Sequence, residues 1–267
     1  MNDQKPHNGL STWLWAPSIA LQFLTRIPVG RVPDWAYQED GGRSFALHPL
    51  VGLVVGACAA SVLLVLRGLG LPSAACAILT VGASIVLTGG MHEDGLADTA
   101  DGLGPHKGSD GLRVMRDSRI GAFGSIALWT LLSLKAVALW DLGSGTLWPA
   151  LLAAHVLSRW SALPMTALLP DARAATAENG SSGLGAAMIR AIHPTTVLVG
   201  SAITVAALWP ILGPARLLTA VIAAIVIAAL TGIFYKRRFG GITGDCLGAT
   251  NQIVEVAVLL LLGRAHP

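Results

Sequence analysis

Four carboxylates, Glu93, Asp94, Asp98 and Asp101, fall within nine residues in "GGMHEDGLADTADGL", residues 89–103. They follow directly on "AACAILTVGASIVLT", residues 74–88, a run without a single charge. At about 100° per residue of helix, Asp94, Asp98 and Asp101 share one stripe, with Glu93 off to its side. Acids at i, i+4 and i+7 repel one another by roughly a few tenths of a kcal/mol per pair in water, and by more where water is excluded. A cation would offset that cost. Oxygen donors without cysteine suit a hard ion such as Mg²⁺, which keeps several waters and commonly also binds substrate phosphate. The competing reading is a solvated face at a membrane boundary. Gly89, Gly90, Gly95 and Gly102 flank the acids with the residue type that lets backbone or ligand come closest, and this favours metal binding. His92, beside the acids, is a candidate general base or an orienting hydrogen-bond donor, and both roles stay open.

Two further segments carry matching chemistry. In "RVMRDSRIGAFG", residues 113–124, Arg116 and Arg119 flank Asp117 just before an apolar run. Arginine presents a planar fork of donors matched to phosphate oxygens, although basic residues here also serve as a membrane anchor. In "GGITGDCLGATNQIVEVAVLLLL", residues 240–262, Asp245, Asn251, Gln252 and Glu255 put polar groups on an apolar helix. Glu255 lies about ten residues into a span, and Arg159 in "HVLSRWSALP" is a second charge at depth. Ionisable residues there are costly and functional by default. Arg159 calls for a buried acid as partner, which the sequence leaves unassigned. Lys135 can snorkel to the interface, and His48 and His155 read as helix-packing residues outside the site.

The elements that must position these groups are membrane helices. Of 267 residues, 53% are hydrophobic and 12% charged, and the mean hydropathy is +0.64, well away from a soluble domain. The fold class expected is all-α: a polytopic helical membrane bundle, one catalytic domain over residues 1–267. Apolar stretches at 10–27, 46–66, 74–91, 121–140, 147–168, 195–213, 216–235 and 246–263 give seven to eight transmembrane helices. The first, with Pro17 inside it and Arg26 near its end, spans, kinks or lies in the interface.

With alternate sides assumed, twelve basic residues fall on one side and four, Lys5, Arg67, Arg216 and Arg264, on the other. The positive-inside rule makes the first side cytoplasmic, and it is the side of the acidic cluster. Cys58, Cys76 and Cys246 show no paired spacing, so neither zinc nor a disulfide framework is expected. No cleavable signal peptide is expected. The net charge of +3 comes from clusters at loops and implies no nucleic acid.

"FLTRIP" at 23–28, "HPLVG" at 48–52, the acidic motif at 89–103, "MRDSRIGAFG" at 115–124, "SR" at 158–159 and "GGITGDCLGATNQIVE" at 240–255 together resemble the cobalamin synthase family, the adenosylcobinamide-GDP ribazoletransferases. The acidic motif is the specific part. The resemblance implies a Mg²⁺-dependent transfer at the bacterial cytoplasmic (inner) membrane. Phosphocobinamide passes from adenosylcobinamide-GDP to α-ribazole or its 5′-phosphate, with release of GMP.

On that reading Asp94, Asp98 and Asp101 hold Mg²⁺, Asp245 completes the site, and Arg116 and Arg119 contact the pyrophosphate. His92, Glu93 and Asp98 are the catalytic candidates, with Glu93 a fourth ligand or base. Asp117, Arg159, Asn251 and Glu255 support them. The loops at 29–45 and 169–193 are candidates for gripping the corrinoid. The partners implied are these small molecules and the lipid bilayer, with a homo-oligomer left open.

Two alternatives share the acids. A cation transporter would place them near the bilayer midplane on broken helices. A CDP-alcohol-type phosphotransferase would follow its first Asp-Gly with Ala-Arg, where this chain reads Ala97-Asp98.

Overall fold

A computed structural model of the chain describes residues 13–104, 109–173 and 192–263. Among these, eleven α-helices follow in order: α1 Ala16–Leu24, α2 Asp34–Ser44, α3 His48–Gly68, α4 Ser73–Thr88, α5 Met91–Gly102, α6 Ser109–Val114, α7 Ala122–Trp140, α8 Ser144–Trp160, α9 Ala162–Leu168, α10 Pro194–Phe239 and α11 Gly244–Leu262. A 3₁₀ turn, Phe45–Leu47, joins α2 to α3. No β-strand is present among the described residues, apart from an isolated parallel bridge between Asp171 and Ile242.

The outer surface is apolar. Val86, Trp129 and Leu198 are 75%, 72% and 70% exposed, a pattern that suits lipid and not water. Inside, α8 is the central post, packed against α3, α10 and α11. Helices α3 and α8 approach at Gly52 and Gly56, where an added Cβ would strike the α8 backbone at His155 and Leu151. Such small-residue contacts drive helix association in lipid, where apolar burial gives no net gain.

Four stretches are long and apolar enough to cross a bilayer: Asp34–Gly68, Ala122–Trp140, Pro194–Phe239 and Gly244–Leu262. The bent pair Ser73–Thr88 and Met91–Gly102 makes a fifth. This is fewer than seven to eight, for local reasons. The first apolar stretch forms a helix of 9 residues. The stretch at 147–168 breaks after Trp160, leaving 17 residues in α8. The stretches at 195–213 and 216–235 run on as one 46-residue element, interrupted at Gly213 (φ 68°, ψ 174°) between Pro210 and Pro214.

Helix α10 is folded back on itself at that break. Gly200 in its first half lies against Leu163 of α9, and Gly232 in its second half lies against Met165 of the same short helix. In a straight helix these glycines would stand roughly 48 Å apart, at 1.5 Å per residue. Both ends of α10 therefore lie at the end of the bundle that carries α9, and Gly213 lies at the other.

The chain turns by 93° between α4 and α5. Gly89 and Gly90 make that turn with φ of 73° and 70°, a left-handed pair that residues with a Cβ adopt only at a cost. A Cβ on Gly89 would also collide with the Arg26 guanidinium. The acidic helix α5 is thereby aimed across the bundle end.

Candidate active site

Helices α5 and α11 meet with almost no side chain between them. A Cβ on Gly95 would sit 3.0 Å from the carbonyl oxygen of Asp245, and one on Gly248 would sit 3.4 Å from that of His92. Thr243 caps α11, its Oγ accepting from Cys246 N at 3.2 Å. This close approach brings Asp94 of α5 and Asp245 of α11 onto one cavity of about 360 Å³. His92, Asn251, Arg159 and Arg173 line the same cavity. It opens where the N-termini of α3, α5 and α11 meet the C-terminal end of α8.

The four proposed carboxylate ligands are distributed unequally. Asp94 and Asp245 line the cavity, whereas Asp98 and Asp101 do not. Asp98 is close enough to Asp94, Asp245 and Asp101 to interact with all three electrostatically. Asp101 spends both carboxylate oxygens on the start of α7, accepting from Gly121 N at 2.7 Å and Gly124 N at 2.8 Å. That is the chemistry of a helix N-terminal cap supplied from another helix. Arg173 Nη2 donates to Asp245 Oδ2 at 2.8 Å. Among the described residues, no group of three or more His, Cys, Asp or Glu side chains is arranged to hold a metal ion.

Behind the cavity lies a buried ion network. Glu255 receives Lys135 Nζ at 2.6 Å on one oxygen, with Arg159 Nη1 at 2.8 Å and His155 Nδ1 at 3.1 Å on the other. Lys135 also reaches Glu93 at 3.3 Å. The network ties α5, α7, α8 and α11 together, and Glu255 is the acid that Arg159 requires. Lys135 does not snorkel: it is 4% exposed, held between two acids. Neither histidine set aside earlier is plain packing, since His155 joins this network and His48 lines the cavity.

Arg116 and Arg119 are exposed and lie outside the cavity lining. Arg119 pairs with Asp117 at 2.7 Å, and its hydrogen bonds push the Asp117 carboxyl down to about 2. The arginines at the cavity are Arg159 and Arg173. Arg173 stands in "LLPDAR", where it reads as one more basic residue of a positive-inside loop, and the signal that marks it is the bridge carrying its segment to Ile242. Most of the 29–45 loop is helix α2, and residues 174–191 of the second loop lie outside the described residues.

The fold is an all-helical bundle with helices long and apolar enough to cross a membrane, and at one end it holds a cavity onto which charged side chains converge. Residues 16–263 match the family model described as cobalamin-5-phosphate synthase. Among similar proteins is the adenosylcobinamide-GDP ribazoletransferase of Polaromonas sp., 38% identical over 95% of this chain and 98% of that protein. Those of Leptothrix cholodnii and Azorhizobium caulinodans are 39% and 40% identical, covering 91% and 92% of this chain and 92% and 96% of theirs. No solved structure matches. The chain belongs to the cobalamin-5-phosphate synthase family.

Proposed function

We propose that this chain is an adenosylcobinamide-GDP ribazoletransferase acting at the cytoplasmic face of the bacterial inner membrane. A ribose hydroxyl of α-ribazole, or of its 5′-phosphate, attacks the phosphorus esterified to the cobinamide. The new O–P bond forms as the bond from that phosphorus to the bridging oxygen breaks, and the electron pair leaves with GMP. His92 takes the hydroxyl proton, a role supported by its place in the cavity wall and by an Nδ1 that has no partner within the protein. Arg173 and the Nε of Arg159, which has no partner within the protein, donate hydrogen bonds to the pyrophosphate oxygens, as expected where the protein mainly positions groups and stabilises charge.

Mg²⁺ is held by Asp94 and Asp245, with Asp98 in support. The fit rests on the donor set: two carboxylates from different helices, Asp94 and Asp245, brought to one cavity whose lining holds no cysteine. Mg²⁺ is commonly held by one or two carboxylates, with waters and substrate phosphates completing its octahedron. When bound, it neutralises charge on the phosphate oxygens. Asp101 acts through the helix it caps.

Seven spans fit the packing: α3, α4 with its bend, α7, α8, the two halves of α10, and α11. The observation that carries the reading is the convergence of Asp94 and Asp245, from two helices, on one cavity that two arginines also line. A cation transporter is disfavoured by the same geometry. The cavity is at the bundle end, while the deeper Glu255 is already neutralised by Lys135 and Arg159.

The test uses purified protein in lipid nanodiscs with adenosylcobinamide-GDP, α-ribazole or its phosphate, and Mg²⁺. GMP release that stops with a chelator and returns with Mg²⁺ is expected. Folded protein that releases no GMP with either acceptor overturns the proposal.

A further inference from the structure

We propose that Phe23, Phe45 and His48 form the seat for the aromatic base of the acceptor nucleoside, an inference that rests on the reaction proposed above. Three separate elements deliver these rings: α1 carries Phe23, the 3₁₀ turn carries Phe45, and His48 opens α3. Phe23 and Phe45 each stack on His48 and are tilted relative to each other. The Phe45 and His48 centroids lie 4.3 Å apart, those of Phe23 and His48 5.9 Å, and those of Phe23 and Phe45 6.2 Å. All three line the cavity that holds Asp94 and Asp245. The reaction assigns them no role, although Phe23 opens "FLTRIP" and Phe45 stands in the turn before "HPLVG".

Size narrows the occupant. A cavity of about 360 Å³ is at the small end for small-molecule sites. It has room for a nucleoside and none for a corrin macrocycle, so the bulky donor must present its pyrophosphate from the mouth. Polarity narrows it further. His48 is 3% exposed and its Nε2 has no partner, and a buried nitrogen left so is costly until a ligand pairs with it. The ring nitrogen of a benzimidazole not used in the glycosidic bond is such a partner. Leu24 and Met91, which pack in one cluster with Phe23, line the cavity beside these rings. Guanine, the other base in the reaction, carries several donors and acceptors on its edge, and this wall would leave most of them unpaired. An alkylated benzimidazole instead buries apolar area against it. The ribose then extends toward His92, Asp94 and Asp245.

The test measures KM for each substrate at saturating concentration of the other, in nanodiscs, for the wild type and for Phe45→Leu, Phe23→Leu and His48→Gln. Loss of one stacking ring should raise the α-ribazole KM about tenfold, with kcat and the adenosylcobinamide-GDP KM within about twofold of wild type. Fluorescence titration with 5,6-dimethylbenzimidazole riboside alone should show the same weakening. Where one variant fails to fold, the other two carry the same expectation. An unchanged α-ribazole KM in folded variants overturns the inference while the reaction stands, and so does a rise confined to the donor, which would mark a guanine seat. A wild-type protein silent with both acceptors overturns the reaction, and this inference falls with it.

Discussion

Arg159 of α8 donates from Nη1 to Oε2 of Glu255 of α11 at 2.8 Å, joining in the interior of the bundle two residues that stand 96 apart in sequence. Both side chains are almost wholly buried, and Lys135 meets the other oxygen of the same carboxylate. Removing one partner of a buried pair leaves a charge without compensation, at about 3–5 kcal/mol. Glu255→Gln should therefore lower the unfolding temperature in detergent sharply. Adding Lys135→Met should recover part of the loss, because the two substitutions act on one network. A single mutant that unfolds with the wild type would show that the network contributes nothing to stability.

Asp94 and Asp245 should be the carboxylates on which turnover depends most. Replacing either by Asn keeps size and hydrogen bonding but removes the charge that holds a divalent cation. GMP release should fall at least about a hundredfold, with insertion and oligomeric behaviour unchanged. Asp98→Asn, a step further from the cavity but within the same field of charge, should lower turnover too, by a smaller factor. Full activity in folded Asp94→Asn or Asp98→Asn protein would remove the metal proposal.

Much of this arrangement can be read from residue order, because helix periodicity and depth are local properties. The stripe of Asp94, Asp98 and Asp101 on one helix, the polar face bearing Asp245, Gln252 and Glu255, and the need of Arg159 for a buried acid all follow from spacing within single runs, although the structure divides the first stripe, with Asp94 on the cavity and Asp101 on the start of α7. What is missing from such a reading depends on contacts between helices. Lys135 reads as a snorkelling lysine until Glu93 and Glu255 are seen on either side of it. His48 and His155 have apolar neighbours in sequence but aromatic or ionic ones in space. Arg173 becomes a cavity residue only because residues 170–172 bond to the backbone of Ile242. The break of α10 at Gly213 falls between the apolar stretches 195–213 and 216–235 and is legible in the sequence, whereas the break after Trp160 lies inside the single apolar stretch 147–168.

Asp101 separates a ligand from a cap. Its two oxygens hold the first turn of α7 through Gly121 N and Gly124 N, and removing such a cap costs about 1–2 kcal/mol. Asp101→Ala should lower the unfolding temperature in detergent. Asp101→Asn, which keeps one good acceptor, should lower it less and should retain far more activity than Asp94→Asn. If Asp101→Asn and Asp94→Asn lose Mg²⁺-dependent activity equally, Asp101 belongs to the metal site after all.

Two pairs of arginines compete for the pyrophosphate. Arg119 is exposed and committed to Asp117, whose carboxyl lies at about 2. A lowered carboxyl pKa makes the pair's contribution present above the ordinary carboxylate range, near 3.8, and lost only as pH falls through about 2. The pair is intact at assay pH but exposed, where solvent screening leaves an ion pair little weight, so Arg119→Ala should leave the unfolding temperature, kcat and the donor KM near wild type. Arg173→Ala should raise the donor KM by tenfold or more, because Arg173 lines the cavity. The reverse ranking, measured in the same steady-state assay, would move the phosphate site out to residues 116–119.

Gly95 tests whether the spacing of α5 and α11 sets the chemistry. A Cβ there would lie 3.0 Å from the Asp245 carbonyl oxygen and 3.1 Å from its Cα, both backbone atoms that cannot rotate away. Gly95→Ala must push the helices apart by a few tenths of an ångström, and Gly95→Val by more. Overpacking of this kind costs about 1–3 kcal/mol, a loss the bundle can absorb. A carboxylate pair that shares one cation with substrate phosphates is less tolerant, since misplacement by about 1 Å can cost a hundredfold in rate. The alanine variant should insert and purify normally yet need more Mg²⁺ for half-maximal GMP release, and the valine variant should be nearly inactive. Gly248→Ala, whose Cβ would meet its nearest atoms at 3.4 Å, should be close to wild type. Equal effects at the two glycines would mean that the contact between Gly95 and the Asp245 backbone does not control the site.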